Sequence, residues 1–145
     1  MFKIIGFDLD GTITKLSGSF IAKLKIPSWI ICFALKLLRP TINKNILSLI
    51  KEYKNQGKKV IVVTSRPISS EIITKKHLRK IPFDELYFVN SGPEAWKRKV
   101  RLVRSLGIKI FYDNDERVTR ELKKAGIKAV LVKNNKHYST FSSPV

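Results

Sequence analysis

The chain is poor in cysteine, poor in acid and free of long apolar runs, and each shortage removes a class of protein. One cysteine in 145 residues leaves no partner for an intrachain disulfide, so the fold must rest on a buried core. Cys32 lies in an apolar stretch and reads as an inert buried thiol, in keeping with a reducing, cytoplasmic setting. The longest uncharged run, Ile26 to Leu35, is interrupted by Pro27 and falls short of the about 20 apolar residues that a membrane span needs. Met1 and Phe2 lead at once into Lys3-Ile4-Ile5-Gly6-Phe7, with no small-residue cleavage site of a secretory leader. Eleven acidic residues face 29 basic ones, a formal charge of +18. Such a surplus bears on partners rather than fold: anionic substrates, nucleic acid and acidic membrane surfaces all suit it, as does a generally lysine-rich proteome. There is no internal repeat and no low-complexity tract.

What the chain does contain is a globular composition, 43% hydrophobic and 10% aromatic, sized for one domain over residues 1–145. Strand and helix patterns alternate. Lys3 to Asp8 and Lys59 to Thr64 are short apolar runs that read as buried strands, and Glu85 to Val89, Lys109 to Tyr112 and Ala129 to Val132 extend the series. Helical spacing runs from Ser17 to Gln56, broken by Pro27 and Pro40. Ser28 is the expected N-cap of a helix over Trp29 to Leu38, and Asn43 opens another that Gly57 ends. Further helices are expected at Ser69 to Lys80, Glu94 to Leu106 after Pro93, and Glu116 to Ala125; a polar, loose tail follows from Lys133. The pattern predicts an α/β fold, a Rossmann-like, five-stranded parallel sheet with helices on both faces. Ligands bind such sheets at the carboxyl ends of the strands, where Asp8, Thr64 and Asp113 fall.

The segment Phe7-Asp8-Leu9-Asp10-Gly11-Thr12 places two carboxylates two residues apart at the exit of a buried strand. A calcium loop would need more oxygen ligands and a terminal glutamate, which the sequence lacks. The hexapeptide resembles the first motif of the haloacid dehalogenase superfamily. Val60 to Pro67 (VIVVTSRP) is similar to its second motif, an apolar strand ending in a hydroxyl residue. A lysine at the start of a later helix would be the third, and Ile110-Phe111-Tyr112-Asp113-Asn114-Asp115 is similar to the fourth. The four occur in order and cover the chain apart from residues 15–40 and the tail.

The resemblance implies a magnesium-dependent phosphatase. Asp8 would attack phosphorus, form a phosphoaspartate and bind the metal. Asp10 would protonate the leaving oxygen, then activate water, while its backbone carbonyl joins the metal shell. Thr64 would hold the phosphoryl oxygens, with Ser65 as fallback and the amides of Ser65 and Arg66 assisting; Asp113 would complete the Mg²⁺ site. Two lysines compete for the third motif. Lys99 shares a helical face with Leu102, Val103 and Leu106, whereas Lys97 shares one with Arg101 and Arg104, so the phase favours Lys99 as the inward-pointing catalytic lysine. Family members often carry two adjacent acids, or a later aspartate, in the fourth motif; here Asn114 separates Asp113 from Asp115, leaving Asp115 as displaced acid or helix N-cap.

Only 53 positions separate Asp10 from Thr64, which leaves room for at most a small helical cap over residues 15–42. From Gly11 to Lys51 there are seven basic residues and no acidic one, and Trp29 to Leu38 is apolar almost all round. That helix reads as a packed cap or a dimer contact, or else as a basic, apolar flap for an acidic membrane or nucleic acid. A small phosphorylated metabolite is the expected substrate. A phosphatase of nucleotide or nucleic-acid ends, or a non-catalytic binding module on the same fold, are the alternatives.

Overall fold

The computed structural model describes residues 3–15 and 26–133; the expected helical stretch from Ser17 to Lys25 and the tail beyond Lys133 lie outside them. Five strands, β1 (Ile4–Asp8), β2 (Lys59–Thr64), β3 (Glu85–Phe88), β4 (Ile110–Asp113) and β5 (Lys128–Leu131), form one parallel sheet in the order β3-β2-β1-β4-β5. Five helices lie between them: α1 (Ser28–Leu37), α2 (Lys44–Asn55), α3 (Glu71–His77), α4 (Ala95–Ser105) and α5 (Glu116–Lys124).

Both faces of the sheet are covered, which is why its strands are apolar without alternation. Ile5, Phe7, Val60, Val62, Ile110 and Tyr112 point to the face closed by Ile46, Leu49, Ile50 and Tyr53 of α2. Phe7 stacks on Tyr112 at 4.7 Å between ring centroids, and the Tyr112 hydroxyl meets that of Tyr53 at 2.8 Å. Ile61, Val63, Phe111 and Ala129 face the other way, against Val103 of α4 and Val118 and Leu122 of α5. Gly6 makes this second face possible in the central strand: a Cβ there would stand 2.5 Å from the Phe111 ring.

Several element boundaries differ from the sequence expectation. Ser28 is not an N-cap. Pro27 holds that place with no side-chain cap, and Ser28 is the first helical residue, because proline's fixed φ already sets the chain for helix entry. The helix expected over Ser69 to Lys80 splits into a 3₁₀ turn, Ile68–Ser70, and the short α3. By contrast, Asn43 accepts from the amides of Asn45 and Ile46, and Asp115 caps α5 by accepting from the Arg117 amide at 2.8 Å.

The strand order reverses between β1 and β4, the place where open α/β sheets offer a crevice to ligands. In-register pairing of β1 with β2 and β4 brings the ends of these three strands side by side, and with them Asp8, Thr64 and Asp113.

Candidate active site

Three charged side chains from three elements meet in that crevice. Lys99, on the first turns of α4, donates from Nζ to Asp8 Oδ1 at 2.8 Å and to Asp113 Oδ2 at 3.1 Å. Lys99 is 5% exposed, whereas Lys97 lies outside and pairs with Glu94 on the helix surface. Burial and the adjacent Asp113 carboxylate push Asp8 up to about 7, against the pull of the Lys99 ammonium. Burial likewise raises Asp113, with Lys99 and the Asp115 amide opposing it. For Lys99, burial acts downward, but the two carboxylates outweigh it and hold the ammonium above its ordinary range.

The turn after β1 shapes the rest. The amides of Thr12 and Thr14 both return to the Leu9 carbonyl, and the Gly11 amide to that of Thr14. This winding aims the Thr12 hydroxyl at Asp8 Oδ2 and the Thr14 hydroxyl at Asp10 Oδ1, each 3.2 Å away. Gly11 sits at φ +85°, and a Cβ there would lie 2.2 Å from the Asn114 amide. Glycine is therefore needed twice, for the backbone conformation and for the approach of Asn114.

Asp10 is not among the partners of Lys99 and pairs with a different cation. Arg66, completely buried, grips it with a two-pronged fork: Nε donates to Oδ2 at 2.8 Å and Nη2 to Oδ1 at 2.7 Å. Nη1 of Arg66 donates to Thr74 Oγ1 at 3.2 Å and contacts His77 Nδ1 at 2.9 Å. With Nη1–H as donor, that ring nitrogen is the acceptor of a neutral histidine. Burial, and then the Arg66 charge, lower the His77 pKa, while the carbonyls of Leu38 and Leu35 at the end of α1 oppose them. The Arg66 amide is also engaged, donating to Thr64 Oγ1 at 3.1 Å. Ser65 is half-buried beside them.

The donor set bears on a divalent cation. One end of the Asn114 amide lies 3.1 Å from Asp8 Oδ2 and 3.3 Å from Asp113 Oδ1. As nitrogen it donates to both; turned with oxygen there, it makes three hard oxygen donors converge, the kind that suits Mg²⁺ with retained waters. Among the described residues no three His, Cys, Asp or Glu side chains gather around one point, because the Asp10 carboxylate is turned onto Arg66. The residues fit the ion as two carboxylates and an amide.

Reading the residues alone missed the guanidinium of Arg66, Thr74, His77 and the second-row threonines. Thr12 is signalled by its place in the first motif, and Thr14 follows two residues later. A lone histidine on a short helix carries no such signal.

The chain matches no protein-family model and no curated protein sequence. Its fold, however, is shared with solved structures that include a phosphatase and a haloacid dehalogenase domain. D,D-heptose 1,7-bisphosphate phosphatase from B. bronchiseptica, solved with magnesium and phosphate, superposes with a TM-score of 0.57 at 13% identity, over 90% of this chain and 80% of that one. The haloacid dehalogenase domain of the effector Lem4 from Legionella pneumophila gives 0.58 at 13% identity, over 94% and 88%. A chain of the Pnkp1/Rnl/Hen1 RNA repair complex gives 0.68 at 20% identity over 94% of this chain, which spans 44% of its length.

Proposed function

We propose that this protein is a magnesium-dependent phosphomonoester hydrolase of the haloacid dehalogenase superfamily, working through a phosphoaspartate on Asp8. The observation that carries the reading is the Asp8–Lys99–Asp113 cluster, buried at the strand-order reversal with Thr64 at the next strand end. Charge supports it as well. Three carboxylates and two cations are buried there, a formal balance of −1 when all are ionised, which a divalent cation converts to +1 for a phosphate.

The nucleophile is a carboxylate oxygen of Asp8, the residue that Lys99 holds through Oδ1. It bonds to phosphorus while the alkoxide leaves, and water later cleaves the acyl phosphate, restoring the carboxylate. Lys99 holds Asp8 in place and neutralises charge beside it; the Thr64 hydroxyl donates to a phosphoryl oxygen. Bound to Asp8, Asp113, Asn114 and the Asp10 carbonyl, Mg²⁺ would supply neutralisation of the carboxylate and phosphoryl oxygens. Asp10 carries the proton to the leaving group and takes one from water. Since Arg66 occupies both of its oxygens in this state, one must be released by side-chain rotation before transfer.

The substrate reading is a small phosphorylated metabolite. Likeness to a chain of an RNA repair complex, together with Trp96 flanked by Lys97 and Arg117 at 5.5 Å, supports nucleic-acid ends as the second reading. The test is phosphate release from an aryl phosphate with Mg²⁺, then from sugar phosphates, nucleotides and phosphorylated oligonucleotides. Asp8→Asn should reduce turnover by at least about 10³-fold. Hydrolysis that persists in both Asp8→Asn and chelator would sink the mechanism.

A further inference from the structure

All the large apolar side chains that stand exposed among the described residues lie in one region. Trp29, Phe33 and Leu37 are 70%, 61% and 71% exposed and follow one another at four-residue spacing along the outer face of α1, continued by Leu38. Beside them, Ile68 and Ile72 are 55% and 87% exposed on the 3₁₀ turn and α3, against which α1 packs. The inner face of α1 already accounts for its seat on the protein: Ile31 and Leu35 are buried with Ile26 and Ile73. A helix at a protein surface needs one apolar stripe, and α1 has two.

The second stripe has a basic rim. Lys36, Arg39, Lys75 and Lys76 are exposed around it, and no carboxylate among the described residues pairs with Lys36, Arg39 or Lys76. The stripe adjoins the Arg66 side of the candidate active site. The 3₁₀ turn leaves the carboxyl end of β2, and the Leu35 and Leu38 carbonyls act on His77, whose ring meets the arginine that forks Asp10.

We propose that this outer face docks on an anionic lipid bilayer, with Trp29, Phe33 and Leu37 in the headgroup boundary and the basic rim on acidic headgroups. A ten-residue helix cannot cross a bilayer but can lie in its interface plane. Charge complementarity selects this occupant. A second copy would set the same basic rim against itself on a chain of charge +18, and a polynucleotide would satisfy the cations but not the apolar stripe. Docking does not require hydrolysis, so it stands or falls independently of the phosphatase reading.

The experiment is flotation of the full chain with phosphatidylcholine vesicles, with and without about 30 mol% phosphatidylglycerol, at physiological salt. Wild type should float with the anionic vesicles and scarcely with neutral ones, and Trp29 emission should shift to the blue in a Trp96→Phe background. Phe33→Ser/Leu37→Ser should lose at least about tenfold in partitioning. Lys36→Gln/Arg39→Gln should lose about 25-fold on anionic vesicles, from about fivefold per cation near such a surface. All four positions are exposed, so circular dichroism and a cooperative melt should confirm both variants as folded. The proposal is overturned by absence of wild-type binding, by equal binding to neutral vesicles, or by unchanged binding of folded Phe33→Ser/Leu37→Ser. A dimer that this variant dissolves, or oligonucleotide binding that it leaves intact, with no vesicle binding in either case, overturns it too.

Discussion

The carboxyl edge of the sheet and the outer face of α1 invert the ordinary distribution of side chains in opposite senses. At the first, Asp8, Asp10, Arg66, Lys99 and Asp113, the buried charged residues among those described, are held out of water; at the second, counted with the adjoining Leu38, 3₁₀ turn and α3, six large apolar residues are held in it. The two faults are tolerated differently. Buried charges must be compensated locally, and each of the five has a partner within 3.1 Å. Exposed apolar groups cost little individually and need no partner in the free protein. The first region should therefore be intolerant of change in folding, and the second tolerant in folding yet sensitive in binding.

The largest effect should come from Lys99→Met, which leaves Asp8 and Asp113 buried without their cation. Unfolding in urea should show a loss of about 3–5 kcal/mol together with loss of hydrolysis. If Lys97→Met were the costlier change, the roles of the two lysines would be reversed.

Arg66→Lys keeps a charge beside Asp10 but not the fork, and should cost about 1–3 kcal/mol. Because Asp10 then moves more freely, kcat should change more than KM. A variant indistinguishable from wild type in both stability and kcat would show the fork to be dispensable.

A smaller effect concerns pH. Burial and Arg66 hold His77 below its ordinary 6.5, so as pH falls through that value the unfolded chain takes up a proton that the folded chain refuses. Stability from this group is present above pH 6.5 and is lost toward the lower, folded-state value. Asp8, raised from 3.8 to about 7, has the opposite slope, losing stability as pH rises between those values. The difference between wild type and His77→Gln isolates the histidine: melting temperatures measured from about pH 7 to 5 should fall less in the variant. Equal slopes would remove His77 from the Arg66 network.

Smallest of all, Lys97→Met and Phe33→Ser should each change stability by no more than about 0.5 kcal/mol. A large loss at Phe33 would make the outer face of α1 part of the core and erase the contrast between the two regions.

Much of the sheet was legible because parallel strands buried on both faces leave continuous β-branched runs, and Lys59 to Thr64 is recovered residue for residue. Helix phase likewise separates Lys99 from Lys97, since a 3.6-residue period decides which side of α4 meets the sheet. Boundaries were less legible where proline and short helices intervene, as at Ser28 and over Ser69 to Lys80.

The sequence by itself determined the α/β alternation, the acidic turn after β1, the acid-free insert and the strand ends at which Asp8, Thr64 and Asp113 fall. These are local properties, written in periodicity and in residues only a few positions apart. Tertiary structure alone decided that Arg66 turns onto Asp10 across 56 positions of chain, and that Asn114 closes over Gly11. It alone decided, too, that α1 seats one apolar stripe and leaves the other in water. No local pattern encodes such pairings, because they depend on which strand ends and helices the sheet order brings together, and that order follows from packing over the whole chain.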